Sequence, residues 1–399
     1  MTSSHPVVNP ATEQVVADVP LTSATETDEA IERAHRAFPA WAAVTPADRA
    51  RLLRRFADAV TADVDQLAAI EVANSGHTIG NARWEAGNVA DVLNYYSAAP
   101  ERLFGRQIPV AGGVNLTFAE PLVVVGVIVP WNFPMPIAGW GLAPALAAGN
   151  TVVLKPAELT PLTALRLAEL SRQAGILEDV FQVLPDEGAV VGERFVTHPH
   201  VRKIVFTGST EVGKRLAARC AEQVKRVTLE LGGKNANIVF ADADLDKAAA
   251  TAPYGVFDNA GQDCCARSRI LVQRSVFDRF MTLFEPAVHG VKVLDPADPA
   301  SEMGPLISAA HRDRIASYVD GEVPVAFRGG VPDGPGFWFP PTVLAPVPNG
   351  HRVVSEEIFG PVVTMQPFGG FKQSGLGREL GPDALAAFTE TKNVFISTD

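Results

Sequence analysis

Two adjacent thiols stand out first. Cys264 and Cys265 close the run Gly261-Gln262-Asp263-Cys264-Cys265, in a chain whose only other cysteine is Cys220. A thiolate is a strong nucleophile, although free cysteine is also common as buried packing. Glu230 lies in Leu229-Glu230-Leu231-Gly232-Gly233-Lys234-Asn235. A carboxylate at the end of a buried strand is raised toward neutrality and becomes a better base. The competing role is a helix cap or a salt bridge, with Lys234 as partner. Asn132 lies in Pro130-Trp131-Asn132-Phe133-Pro134. Its amide can donate to a developing oxyanion, or simply close a turn.

A second set of residues points to a nucleotide. Phe206-Thr207-Gly208-Ser209-Thr210-Glu211-Val212-Gly213 runs from strand to helix through small residues. Such a turn offers free backbone N–H groups and a helix dipole to a phosphate. It is not the GxGxxG fingerprint. Lys155-Pro156-Ala157-Glu158 follows another strand end, where the Lys and the Glu can each hydrogen-bond a ribose hydroxyl. Taken alone, that pair reads as surface charge.

The elements that must hold these residues follow from the apolar pattern. The first third reads as helices: Asp28 and Glu29 mark one start, and Thr45-Pro46-Ala47-Asp48 another, followed by Leu53, Phe56 and Val60 on one face. Residues 122–129 and 151–154 are continuous apolar runs, as expected of strands covered on both faces. Thr160-Pro161 starts a helix that stops at Gly175. Residues 203–206, 226–229 and 237–240 read as further strands, and 211–220 as a helix. Strands alternating with helices predict a parallel, doubly wound sheet, with ligands at the carboxyl ends of its strands. Residues 331–350, rich in proline and glycine, read as a long ordered loop.

The chain has 399 residues, a formal charge of -11 and 47% apolar residues. That is the composition of a soluble globular protein of two or three domains. The acidic balance argues against nucleic acid, since no surplus of cations is present to displace counterions. Residues 122–153 carry no charge, but prolines at 130, 134, 136 and 144 make a buried strand, loop and helix the expectation rather than a membrane span. The N-terminus does not read as a signal peptide, and three cysteines cannot build a disulfide framework, so a reducing, cytoplasmic setting is expected. The eight histidines have no metal-ligand spacing, and no metal is expected.

Taken in order, these motifs resemble the NAD(P)-dependent aldehyde dehydrogenase superfamily, from about Val8 to the C-terminus. The matching stretches are 130–134, 155–158, 206–213, 229–235, 261–264, 356–362 and 369–375. The resemblance implies two doubly wound α/β domains and a small β oligomerisation arm. The NAD-binding domain would take residues 1–103 and 122–233, the catalytic domain 234–388, and the arm 104–121 with 389–399.

It also implies roles. Cys264 rather than Cys265 would be the nucleophile, Glu230 the base that activates water, and Asn132 the oxyanion donor. The cofactor would lie on Val129, Pro130, Trp131, Lys155, Glu158, Gly188, Phe206, Gly208, Ser209, Val212 and Leu231, with Glu357 and Phe359 at its nicotinamide half. Phe133, Trp140, Asp263 and Cys265 would line the substrate tunnel, where Asp263 would favour a cationic aldehyde. NAD is preferred to NADP because Glu158 would repel a 2′-phosphate. The expected activity is oxidation of an aldehyde to an acid through a thiohemiacetal and a thioester, in a homodimer or homotetramer. The tail after Thr389 would complete a partner's sheet. Two other readings stand beside it: a catalytically impaired NAD-binding relative, and an enzyme that acylates coenzyme A.

The chain also departs from that pattern. Residues 360–368 run directly into Gly369-Gly370-Phe371-Lys372-Gln373-Ser374-Gly375. Relatives carry several dozen residues between these motifs. The region after Tyr318 is short, and the strand that usually precedes Asn9 looks missing. Loss of a helix and inner strands would leave sheet edges and apolar surface uncovered.

Overall fold

The computed structural model describes residues 3–319, 321–348, 350–365, 375–376 and 389–397. The Phe368–Gly369 junction lies outside these residues. Two mostly parallel sheets carry the fold. The first runs, edge to edge, Gly375–Leu376, Arg226–Leu231, Val201–Gly208, Val124–Ile128, Thr151–Lys155 and Phe181–Val183. Only its edge pair, Gly375–Leu376 against Arg226–Leu231, is antiparallel. The central strands are Val-rich and almost wholly buried because helices cover both faces. On one face, helices Pro46–Ala62, Ile79–Ser97, Pro134–Ala147 and Leu162–Gln173 pack around Phe56, Leu93 and Tyr96. On the other, Phe195 and Leu216 meet Ala30, Ile31 and Ala34 of the first helix. Gly126 in the central strand makes room for Phe195: a Cβ there would lie 2.7 Å from its ring.

The second sheet runs Ala236–Val239, Arg269–Val272, Val362–Met365, Thr342–Leu344 and Val325–Arg328, the last antiparallel to its neighbour. Phe280, Phe284 and Val288 of helix Phe277–His289 seal its core. A third, small sheet orders Thr389–Ser397, Gly113–Pro121 and Gln107–Ile108. The C-terminal strand, expected to complete a partner's sheet, pairs here with Gly113–Pro121 of its own chain in continuous antiparallel register.

The uncharged stretch is the expected strand, loop and helix, and no helix among the described residues is long and apolar enough to cross a membrane. Other details differ from the sequence expectation. A strand does precede Asn9: Ser4–Val8 pairs with Val15–Pro20 across a short turn. The first helix starts at Ala24, not near Asp28, because Ser23 and Glu26 form a reciprocal capping box. Thr160 caps nothing: helix Leu162–Gln173 follows Pro161 with no side-chain cap, and the Thr160 hydroxyl is buried without a partner. Within 331–350, Thr342–Leu344 is a fully buried strand of the second sheet. Three residues among prolines show too little periodicity to be seen in sequence.

Candidate active site

The site grows from the carboxyl ends of the first sheet's strands. The loop after Val124–Ile128 presents Pro130, Trp131 and Asn132, and Thr151–Lys155 ends on Lys155. Val201–Gly208 ends at Gly208, and Ser209 then caps helix Thr210–Ala221 by accepting from the Val212 N–H at 3.3 Å. Arg226–Leu231 delivers Glu230 and Leu231.

Two cavities meet along these ends. The first, about 520 Å³, is lined by Val129, Pro130, Trp131, Lys155, Glu158, Gly188, Phe206, Gly208, Ser209 and Val212, among others. The second, about 380 Å³, is lined by Asn132, Glu230, Leu231, Cys264, Glu357 and Phe359. Pro130, Trp131, Thr207, Gly208 and Ser209 line both. The three candidate catalytic residues therefore share one cavity, and the candidate cofactor residues line that cavity or its neighbour. The four tunnel candidates are not among these lining residues. Phe133 and Trp140 pack against the first core, and the Trp140 indole donates to Asn88 Oδ1 at 2.9 Å. Asp263 Oδ1 accepts from the Cys265 N–H at 2.8 Å.

A strained loop carries the thiols. Asn259, Ala260 and Gly261 have φ of 49°, 53° and 69°, three successive left-handed residues. Runs of this kind are costly for L-residues and persist only where the surroundings fix them. Here the fixing is done by amides. Asn259 Nδ2 donates to Asn132 O at 2.8 Å and Gln262 O at 3.3 Å, and Asn132 Nδ2 donates to Gln262 O at 3.0 Å. Gln262 Oε1 accepts from the Ile307 N–H at 2.9 Å, and Asn235 Nδ2 donates to Cys264 O at 2.7 Å. Gly261 has no substitute, since a Cβ there would sit 2.1 Å from the Gly360 carbonyl oxygen.

Cys264 is half-buried and Cys265 exposed, with sulfurs 3.9 Å apart. Their mutual hydrogen bond and burial push the Cys264 thiol up, with the Asp263 and Glu357 carboxylates adding to the effect. The same hydrogen bond lowers Cys265.

Glu357 reaches in over two glycines. Its Oε1 accepts from the Gly233 N–H at 3.2 Å, and a Cβ on Gly232 would collide with its carboxylate. Burial raises its pKa. Lys234 does not hydrogen-bond Glu230: its Nζ is buried without a hydrogen-bond partner. Burial, then Arg269, pushes the Lys234 ammonium down to about 7, against the pull of Glu357 and Glu356. Lys155 is nearly buried and pairs with Asp186 Oδ1 at 2.6 Å. Asp186 in turn accepts from the Val191 N–H at 2.7 Å.

Sequence reasoning missed Asn259, Gln262, Asp186, His311 and Arg314. The first two sit just before the thiols, but only three-dimensional contacts reveal their partners. His311 and Arg314 come from helix Ala309–Ala316, far from any motif. The His311 ring donates from Nε2 to Phe359 O at 2.7 Å and meets Trp131 edge-on with centroids 5.1 Å apart. Arg314 donates to Ile358 O at 2.9 Å and Glu357 O at 3.1 Å. Together they clamp a segment in which Phe359 has φ of 62°.

Comparison with known proteins gives this geometry a family. The model of the aldehyde dehydrogenase family matches residues 1–368 and 363–394, so the match breaks into two pieces that meet just before the Phe368–Gly369 junction. An aldehyde dehydrogenase of Emericella nidulans is 37% identical over 451 residues, covering 97% of this chain and 90% of that protein. That span exceeds the whole of this chain, so the relative carries residues with no counterpart here. Cytosolic 10-formyltetrahydrofolate dehydrogenase of Xenopus laevis is 35% identical over 98% of this chain, which spans only 51% of that protein. Among solved structures, the NAD+ complex of an aldehyde dehydrogenase from Bacillus cereus superposes with a TM-score of 0.95 at 33% identity, covering 100% of this chain and 94% of that one. The chain belongs to the aldehyde dehydrogenase family and has its fold.

Proposed function

We propose that the chain is an NAD-dependent aldehyde dehydrogenase that oxidises a small aldehyde to its carboxylic acid at Cys264. The observation that carries this reading is a shared cavity: Asn132, Glu230 and Cys264 line one space, which opens into the groove bearing Lys155 and Glu158. The groove fits a dinucleotide. It is long and double-lobed, with a helix N-terminus at its waist where Gly208 and Ser209 line both lobes. The Lys155 and Glu158 end would hold the adenine ribose, and the Glu357 and Phe359 end the nicotinamide half. Lys155 is paired with Asp186, which leaves the Glu158 carboxylate to face the ribose and disfavour a 2′-phosphate.

The protein's own residues perform the following steps. The Cys264 thiol gives its proton to solvent water and its sulfur bonds to the aldehyde carbon, giving a thiohemiacetal alkoxide. The Asn132 amide and the Cys264 N–H donate to the oxygen that becomes negative. Bound NAD supplies the acceptor for the hydride that leaves this carbon. The carbonyl re-forms as a thioester on Cys264. Glu230 then takes a proton from water, the hydroxide adds, and the thiolate leaves with release of the acid.

The domain division given above, the homo-oligomer built on the arm, and a cytoplasmic setting belong to the same proposal. The three free thiols support the reducing setting, and the small third sheet supports a separate arm.

The test is formation of NADH by the purified protein with a panel of aliphatic, aromatic and amino-aldehydes. Turnover that Cys264→Ala abolishes is the expected result. A folded protein that binds NAD yet turns over none of the panel would overturn it in favour of a non-catalytic relative. Acyl-CoA formation on adding coenzyme A would replace the hydrolytic step with an acyl transfer.

A further inference from the structure

A second cluster of reactive side chains lies away from this site, within the helical layer under the first sheet. Helix Val64–Ser75 carries Glu71, and helix Ile79–Ser97 carries Glu85. His77 stands in the joint between them, after Gly76 at φ 78°. Glu71 and Glu85 have no exposed surface and His77 is 3% exposed. His77 Nδ1 and Glu85 Oε1 are 2.5 Å apart. One ligand atom from each of the three residues falls within 4.8 Å of the others.

The cluster is short of partners. Neither oxygen of Glu71 makes a well-aligned hydrogen bond, although the Ser75 and Thr163 hydroxyls lie near enough to lower its pKa, and Glu85 Oε2 has no partner. The buried hydroxyl of Thr163 is unpartnered as well. A carboxylate with both oxygens buried and unpaired is among the most expensive groups a fold can carry. Burial, then the Glu85 carboxylate, pushes the Glu71 carboxyl up to about 7. Against burial, Glu85 and then Glu71 push His77 up to about 9. Glu85 has His77 as its partner at 2.5 Å, whereas Glu71 has no ion pair among the described residues.

We propose that Glu71, His77 and Glu85 form a structural site for one divalent cation of the zinc type. The donor set supports this choice. One imidazole nitrogen and two carboxylates match zinc's preference for nitrogen and oxygen ligands, and their two charges balance the ion. A tetrahedral site brings ligand atoms to roughly 3.3 Å from one another, at metal–ligand distances near 2.0 Å. In the proposed site the His77–Glu85 contact opens, Glu71 is drawn in, and a water takes the fourth position. The ion would enter as the chain folds and lock the two helices beneath Phe133, whose ring lies 5.6 Å from that of His77. Asp263, Cys264 and Cys265 also bring ligand atoms together, but they belong to the active site, and the test must silence them.

The experiment uses the full chain with its accessible thiols alkylated by iodoacetamide. Zinc sulfate is added, the protein is passed through a desalting column, and bound metal is counted by mass spectrometry. The expected result is about one zinc per chain, with Glu71→Gln and His77→Gln each weakening retention at least tenfold. The neutral amide in Glu71→Gln removes a buried acid and should leave the fold intact. Should either variant misfold, zinc absorption spectra of the alkylated wild type decide the matter: a nitrogen and oxygen shell with imidazole scattering supports the site. No zinc on the alkylated protein, full retention by Glu71→Gln, or a shell containing sulfur would each overturn the proposal.

Discussion

The two walls of the active-site cavity are built by different means. The wall from the first sheet hangs on regular structure: Glu230 sits in a strand paired on both sides, and Asn132 lies in the short loop between strand Val124–Ile128 and helix Pro134–Ala147. The wall from the second half hangs on irregular backbone. Asn259 to Gly261 and Phe359 are left-handed, and side chains rather than ladders hold them. A strand end is placed by many weak, redundant contacts. A left-handed loop is placed by a few strong ones, so single substitutions should damage the second wall far more than the first.

The sharpest test sets the glycine of the thiol loop against a left-handed glycine that lines only the first cavity. Gly261 and Gly188 both have positive φ, 69° and 79°. A Cβ at Gly261 meets the Gly360 backbone, whereas one at Gly188 meets nothing within 4 Å. Gly261→Ala should therefore cost about 3 kcal/mol or more and remove NADH formation. Gly188→Ala should cost about 1 kcal/mol, the strain of a left-handed alanine alone. Urea denaturation of both variants measures the difference. Equal costs would mean that the thiol loop yields as easily as an open turn.

Next comes the amide network. Asn259→Ala removes the donor to Asn132 O, while Gln262 O keeps the Asn132 amide. The loss of about 1–3 kcal/mol should appear mainly in kcat, as a fall of roughly ten- to hundredfold, because the oxyanion donor and the thiol loop lose their common anchor. Steady-state kinetics with aldehyde and NAD varied separately check this. A rise in KM for NAD with kcat intact would place Asn259 on the cofactor side instead.

Much of the first wall was legible in the sequence, and most of the second was not. The Val-rich runs, the Thr45-Pro46 cap and the strand-to-helix turn at Gly208 each declare themselves locally. So did Cys264 and Glu230, through neighbours that are unusual in composition. The left-handed run at Asn259–Gly261 announces itself only at Gly261, since nothing in Asn259 or Ala260 requires positive φ. Its cause is the Gly360 carbonyl and the Asn132 loop, distant in sequence. Glu71, His77 and Glu85 escaped for a similar reason. Their spacing is not that of a metal motif, and the histidine lies in a joint that brings two helices together. The strand before Asn9 was missed because five residues with a proline carry too little alternation to register.

Proton linkage extends the comparison to pH. Burial pushes His311 on the second wall down to about 4 from an ordinary 6.5, against the pull of Phe359 O. Between these values the unfolded chain binds a proton that the folded chain refuses. Stability should therefore fall as pH drops from about 6.5 to about 4, by about 1–2 kcal/mol from this residue. His311→Gln should flatten that part of the profile in thermal melts taken at successive pH values. An unchanged slope would assign the acid sensitivity to other groups.

The smallest effect separates the clamp from the chemistry. Arg314 touches the segment 357–359 only through carbonyl oxygens, Ile358 O at 2.9 Å and Glu357 O at 3.1 Å. Arg314 lines the second cavity, yet in the proposed reaction it moves no proton and meets no reacting atom. Arg314→Ala should loosen Glu357 and Phe359 together, at about 1 kcal/mol, and raise KM for NAD roughly fivefold. kcat at saturating NAD should change less than KM, because Cys264, Glu230 and Asn132 keep their own supports. A fall in kcat as large as the rise in KM would show that the irregular wall acts as one unit, with its clamp and its amide network inseparable.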